Sequence, residues 1–452
     1  MNERAVDSLD VRHPDAVAMD AGQAAVRHRR RTILPAVLAT LVAMGLWAAL
    51  ALHATLAGWG RPTLAAPGDA EGFARAAIQR IDAANRGNVV LRVITAGQVT
   101  AAHQRSIGAP VDADTLFHVA SVSKWITACA VLTLVESRQL DLDAPVGTYL
   151  RRWSLPAGEH DATQVTVRRL LSHTAGLTDG LGYAGFPPGT PVQSLEASLT
   201  RAADASPGAD GRVRVGEAPG SGWRYSGGGY ALLQLVVEDV TGEPFADYVR
   251  RAVFQPLGMS RSTFVLAPGT ANVATIHDRD GSPLPHRRFT ALAAAALYTT
   301  AADLTRFLQA QAPDAKATSR VLRPETWHAM RAPHAALMGA DIWGLGTMLY
   351  VPNARGGFIV GHDGSDEPAT NAAVRLDPDT GDGIIVLQTG DPLLATTIAG
   401  EWTFWQAGAI DALDFRLATR GMLADIGAGW LAILVVAVLL QLRRHRRHRM
   451  AT

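Results

Sequence analysis

Ser121 and Lys124 stand three residues apart in the stretch His118-Val119-Ala120-Ser121-Val122-Ser123-Lys124-Trp125, and together they are the residue types that could carry nucleophilic catalysis. The apolar run Ile126 to Val135 reads as a buried helix, with Ser121 as its candidate N-cap. Positions i and i+3 share a helix face with Cβ atoms about 5–6 Å apart, so the amine reaches back to the hydroxyl. A serine hydroxyl is a weak nucleophile until a neighbour takes its proton, and an amine whose pKa is lowered by burial does that. Backbone N–H groups at a helix N-terminus favour negative charge nearby, which suits an oxyanion. A Ser-x-x-Lys pattern alone recurs by chance, so the elements that position it decide its meaning.

Composition narrows those elements. The chain has 452 residues and a formal net charge of +1, which excludes a generally basic nucleic-acid binder. Its one cysteine, Cys129, falls inside the apolar helix, where it reads as a small core residue, and it has no partner for an internal disulfide. No histidine cluster has metal-ligand spacing, so no metal and no cofactor are expected.

Two stretches read as membrane spans. Residues 33–57 form the first, with about 20 residues from Ile33 to Leu52 free of charge, enough to cross a bilayer, just after Arg27, Arg29, Arg30 and Arg31. A cleaved signal peptide is the competing reading, but its apolar region would run to only about 7–15 residues, and an uncleaved anchor is preferred. Residues 423–442 form the second span, followed by Arg443, Arg444, Arg446, Arg447 and Arg449. Positive flanks stay inside, so residues 1–32 and 443–452 are expected to be cytoplasmic basic tails. The basic tails would also contact anionic membrane lipid. Everything between the spans is then expected on the periplasmic or extracellular side of a bacterial inner membrane. A tether (58–72) and a juxtamembrane connector (407–422) flank one continuous region, 73–406.

Within that region Phe73 to Ala84 reads as a helix, and Asn88 to Thr95 with Gln98 to Arg105 as a hairpin around Gly97. Gly357 to Val360, Ala372 to Leu376 and Gly383 to Gln388 read as strands, and Asp391-Pro392 as the cap of a final helix through Trp405. Strands at both ends of a helical middle imply an α+β fold, its antiparallel sheet assembled from remote parts of the chain.

The spread of motifs resembles the serine beta-lactamase and penicillin-binding-protein superfamily, in the branch that holds class C beta-lactamases, DD-peptidases and related esterases. Besides Ser121 to Lys124, the segments that carry the resemblance are Val165 to Leu177, Pro219 to Tyr230, Trp343 to Gly346 and Gly361-His362-Asp363-Gly364. It implies an antiparallel sheet flanked by helices with a mostly helical second subdomain. It further implies that Tyr225 joins Ser121 and Lys124 in proton transfer, with either Lys124 or Tyr225 as the base. The backbone N–H groups of Ser121 and Ser365 would form the oxyanion hole. Gly364 would let substrate approach the strand. His173 is read as packing and ordering a turn rather than as a base.

Two positions depart from the lactamase pattern. Gly227 stands where those enzymes carry an asparagine that bonds a substrate amide, and His362 stands where many carry a lysine for a substrate carboxylate. A histidine at its ordinary pKa of about 6.5 is mostly neutral at pH 7, and Asp363, Asp366 and Glu367 are expected to add negative charge nearby. The expectation is therefore a membrane-anchored serine hydrolase cleaving esters or amides of small molecules or peptide-like substrates through an acyl-Ser121 intermediate. A DD-peptidase or beta-lactamase and a non-catalytic binding or sensor module are the alternatives. The oligomeric state is left open.

Overall fold

A computed structural model describes residues 14–180, 182–312 and 321–451 of the chain. Its contacts divide it into two units, one of Gly60–Asp414 and one made of the segments before Gly60 and after Asp414. The longer helices, in chain order, are α1 (Pro14–Leu56), α2 (Ala70–Ala84), α3 (Ser123–Glu136), α4 (Gly227–Thr241), α5 (Leu394–Ala407) and α6 (Ala412–Ala451).

One sheet of eight strands organises the larger unit. Its strands are β1 (Val89–Thr95), β2 (Gln98–Arg105), β3 (Ala335–Leu337), β4 (Ala340–Trp343), β5 (Met348–Pro352), β6 (Phe358–Asp366), β7 (Thr370–Asp377) and β8 (Asp382–Thr389). They lie in the order β2-β1-β8-β7-β6-β5-β4-β3, with antiparallel neighbours throughout. The first hairpin closes on the last strand of the sheet, Val89 opposite Gln388 and Ile94 opposite Gly383, so the two ends of the region meet as expected. The short strands β3, β4 and β5 were not legible in the sequence. They lie at one edge, where β3 and β4 are too short to carry a period-two pattern.

Side-chain alternation builds a core on each face of the sheet. Val89, Leu91 and Val93 of β1, with Ile384 and Val386 of β8, pack on Phe73, Ala77 and Ile81 of α2 and on Ile398 and Trp402 of α5. Val90, Ile94, Ile385 and Leu387 face the other way, into a larger core that contains α3 and α4. Burying each of the Val, Leu, Ile and Phe side chains among them contributes about 1.5–3 kcal/mol. Asp69 caps α2 by accepting from the Gly72 N–H at 2.8 Å. Asp391 accepts from the N–H groups of Leu393 and Leu394, both at 2.8 Å, but Leu393 is the N-cap and α5 begins at Leu394, so the expected cap at Asp391-Pro392 is corrected by two residues. Helix α4 is buried on almost every side and forms the centre of the helical subdomain.

The smaller unit has two helices long and apolar enough to cross a membrane, Leu34–Leu56 with 23 residues and Ala418–Arg444 with 27. They pair antiparallel through a reciprocal exchange: the Trp47 indole donates to the Asp425 carbonyl and the Trp430 indole to the Met44 carbonyl, each at 3.0 Å. Their outward apolar side chains stay uncovered, Leu34 72% and Leu431 65% exposed. The side chains of Arg27, Arg29, Arg30, Arg31 and Arg449, and residues 1–13 of the basic tail, lie outside the described residues.

Candidate active site

Ser121 lies in a tight 3-10 turn, Ala120–Val122, and α3 begins only at Ser123. The N-cap role expected of Ser121 is therefore corrected: its side chain caps nothing, which leaves the hydroxyl uncommitted. Ser123 does the local work instead, donating to the Ala120 carbonyl at 2.5 Å and accepting from the Leu297 N–H at 2.9 Å. Ala120 adopts φ +45°, a left-handed conformation that an alanine takes only when its surroundings impose it.

Strand β6 imposes it. A Cβ added at Gly364 would sit 2.0 Å from the Val119 carbonyl oxygen and 3.0 Å from the Ser121 nitrogen. Both are backbone atoms, so Gly364→Ala must push the strand off the turn. Overpacking of this kind costs about 1–3 kcal/mol. The variant is expected to lower the denaturation midpoint and to slow labelling of Ser121 by a fluorophosphonate at least tenfold. Labelling at the wild-type rate would contradict this reading of the contact.

Lys124 is buried, 1% exposed, with Nζ 3.2 Å from Ser121 Oγ and donating to the Ala294 carbonyl at 2.7 Å. Burial pulls its pKa down to about 7, against an opposing pull from Asp179. The ammonium form is costly there because burial strips it of water, which the two hydrogen bonds replace only in part. Tyr225 lies below the same amine, its ring centroid 4.8 Å from Nζ, and the Ser121 hydroxyl is near enough to oppose slightly the upward push of burial on its phenol. Desolvation pushes that phenol well above its ordinary value, so it is protonated at neutral pH. Serine, amine and phenol, separated by up to 104 positions in sequence, are thus brought together by the fold.

His173 places the phenol. Its Nδ1 accepts from the Ser226 N–H at 3.1 Å, its carbonyl accepts from the Arg224 N–H at 2.8 Å, and its ring lies on Tyr225 with centroids 4.4 Å apart. Burial drives its pKa far below the ordinary histidine value, so the ring is neutral. The residues on both sides of Tyr225 are held by one side chain and its backbone. Trp343 completes the wall, its indole donating to the Leu171 carbonyl at 3.2 Å and its ring packed on His173 and His362.

The H-D-G residues of β6 separate by strand parity. His362 and Gly364 face the turn, and His362 is buried with Nδ1–H donating to the Asp363 carbonyl at 2.6 Å. Burial, and Lys124 nearby, lower its pKa to about 3, so its ring is neutral, as expected at a position where many lactamases carry a lysine. The expectation that Asp363 adds negative charge to the site is corrected. Its carboxylate points to the opposite face, in an ion pair with the fully buried Arg375, and accepts from the Tyr350 hydroxyl at 3.0 Å. Glu367 is likewise occupied, by Arg279 at 3.1 Å. Ser365, one residue beyond Gly364, is exposed.

Gly227 is the first residue of α4, and a Cβ there would meet the Tyr183 ring at 3.1 Å. The space of the absent amide is therefore partly filled by Tyr183. Asp179 anchors the same helix end, accepting from the Gly228 N–H at 2.7 Å and from the Ser226 hydroxyl. Asp179 and Tyr183 were missed in the sequence, where neither carries a spacing signal. Only their proximity to α4 gives them a part.

An antiparallel sheet between helices, with Ser-x-x-Lys entering the central helix and a tyrosine closing over it, defines the serine beta-lactamase and penicillin-binding-protein class of fold. A family model described as Beta-lactamase matches residues 73–401, and the chain belongs to that family. Similar proteins include esterase EstB of Burkholderia gladioli, 39% identical over 195 residues, a match covering 40% of this chain and 46% of that one. Penicillin-binding protein 4 of Amycolatopsis lactamdurans is 30% identical over 286 residues, covering 58% and 69%. The chain thus spans under half the length of the esterase. Among solved structures, the octameric penicillin-binding protein homologue from Pyrococcus abyssi superposes with a TM-score of 0.60 at 25% identity, covering 73% of this chain and 76% of that one.

Proposed function

We propose that the chain is a membrane-anchored serine hydrolase that cleaves ester or amide bonds of small or peptide-like substrates through an acyl-Ser121 intermediate. The observation that carries this is the 3.2 Å approach of a buried amine with a pKa of about 7 to a serine hydroxyl. Neutral Lys124 takes the proton as Ser121 Oγ bonds to the substrate carbonyl carbon. The N–H groups of Ser121 and Ser365 receive the oxyanion, each such donor contributing about 2.7–4 kcal/mol. The proton then passes through the Tyr225 phenol to the departing alcohol or amine as the old bond breaks. Water, deprotonated along the same route, hydrolyses the acyl-serine and frees Ser121.

Gly227 and the neutral His362 favour ester cleavage over recognition of a substrate carboxylate, and the esterase among the relatives agrees with that preference. Penicillin-binding protein 4 supports the second reading, a DD-peptidase or beta-lactamase acting on peptidoglycan-like or beta-lactam substrates. The two apolar helices support anchoring with the hydrolase unit outside a bacterial inner membrane, with residues 1–32 and 443–452 inside and in contact with anionic lipid. Comparing kcat/KM for a short-chain aryl ester and a chromogenic cephalosporin tests the ranking. The ester is expected to turn over at least tenfold faster, and faster cephalosporin hydrolysis would reverse the order of the two readings.

A further inference from the structure

A cavity of about 220 Å³ lies at the Asp366 end of β6 and has no part in the chemistry above. Ile276, Leu284, Pro285 and Pro368 give it apolar walls, and His118 with Asp366 makes its polar end. Strand parity fixes its place. His362, Gly364 and Asp366 share one face of β6, at steps of about 6.6 Å per residue pair. The first lies near Lys124, the second against Ser121, and the third in the cavity.

The polar end holds two acceptors and no donor between them. His118 Nε2 is 2.7 Å from the Ala295 carbonyl oxygen, which can only accept, so Nε2 carries the proton. Burial lowers the His118 pKa to about 4, so the ring is neutral and Nδ1 keeps its lone pair. That nitrogen faces Asp366 Oδ2 across 3.8 Å. The ring cannot turn away, because it lies between Phe289 and Tyr298 with centroids 5.2 and 5.1 Å distant. Among the described residues no side chain donates to the Asp366 carboxyl. Arg287, which also borders the cavity, donates to the carbonyls of Ala184 and Gly185 at 3.1 and 3.4 Å, and its charge acts on Asp366 only from beyond ion-pair distance, so burial still raises the Asp366 carboxyl to about 7. An ammonium nitrogen about 2.8–2.9 Å from both acceptors spans this gap, supplies the side-chain hydrogen bonds that both lack and holds the Asp366 carboxyl in its ionised form.

We propose that this cavity is the acyl-side subsite and that it selects acyl groups bearing a primary ammonium. The ammonium would lie roughly three to five bonds from the carbonyl carbon, the reach of one two-residue strand step. This rests on the hydrolase reading above. The departing group must lie beside Lys124 and Tyr225, which return a proton to it, so the acyl substituent extends the opposite way, along β6 toward Asp366.

The test compares two para-nitrophenyl esters whose acyl groups cannot cyclise readily: trans-4-aminocyclohexanecarboxylate, with its ammonium five bonds from the carbonyl carbon, and the neutral isostere with methyl in place of amino. A charge-assisted hydrogen bond is expected to favour the ammonium ester about tenfold or more in kcat/KM. Asp366→Asn should remove that preference, lowering turnover of the ammonium ester about tenfold more than that of the neutral one. Equal turnover of the two esters by the wild type would overturn the subsite, whatever the variant does. So would an Asn variant that keeps the wild-type ratio. Absence of turnover of both esters by the wild type would instead strike the hydrolase reading, and the subsite would fall with it.

Discussion

Ser121→Ala abolishes fluorophosphonate labelling and lowers ester turnover by about ten thousandfold or more, to what the remaining groups supply by binding and electrostatics alone. The fold should be indifferent to the change. The Ser121 side chain caps no helix, and the turn is held by Ser123 and by the close approach of Gly364. A thermal midpoint near that of the wild type would therefore accompany the lost activity. Because serine and lysine act as one unit, adding Lys124→Met to Ser121→Ala should cost little more than either change alone. Equal labelling of wild type and Ser121→Ala would remove the nucleophile, and multiplicative losses in the double variant would show that Lys124 does not work through Ser121.

What the sequence yielded follows from where the signals are local. The hairpin at Gly97 leads into an edge strand with exposed side chains, whereas the apolar runs Val89 to Val93 and Ile384-Ile385-Val386-Leu387 belong to strands buried on both faces. Hydrophobic periodicity suffices to find them. Ser121, Lys124 and Tyr225 were legible because short motifs surround them. The direction of each carboxylate was not. Asp363 and Asp366 are three residues apart on one strand, and parity sends the first to Arg375 and the second to His118. A reading of charge along the chain treats them alike. The helix-capping expectation for Ser121 failed for a related reason. The rule assumes the backbone before a helix is free to choose its conformation, whereas β6 presses Ala120 into φ +45°. Asp179 and Tyr183 were silent because their effect, closing the end of α4 and filling the place of the missing amide, exists only after packing.

The identity of the base has a pH signature. If Lys124 is the acceptor, only its neutral form works, and burial places its pKa at about 7. Below that value the amine is protonated, so log kcat/KM should fall with unit slope as pH drops, about tenfold per pH unit, and should level off above it. Lys124→Arg, always charged, cannot accept a proton and should lose about a hundredfold to ten thousandfold at every pH. Asp179 supplies the second arm of the test. Its negative charge raises the Lys124 pKa, opposing burial, so Asp179→Asn should lower that pKa and move the acid limb to lower pH. Were Tyr225 the base, the limb would follow a phenol held well above its ordinary value. The rate would then climb without a plateau through the neutral range, and Asp179→Asn would leave the inflection near pH 7 absent rather than shifted. A profile of that shape would transfer the proton-accepting role from the amine to the phenol.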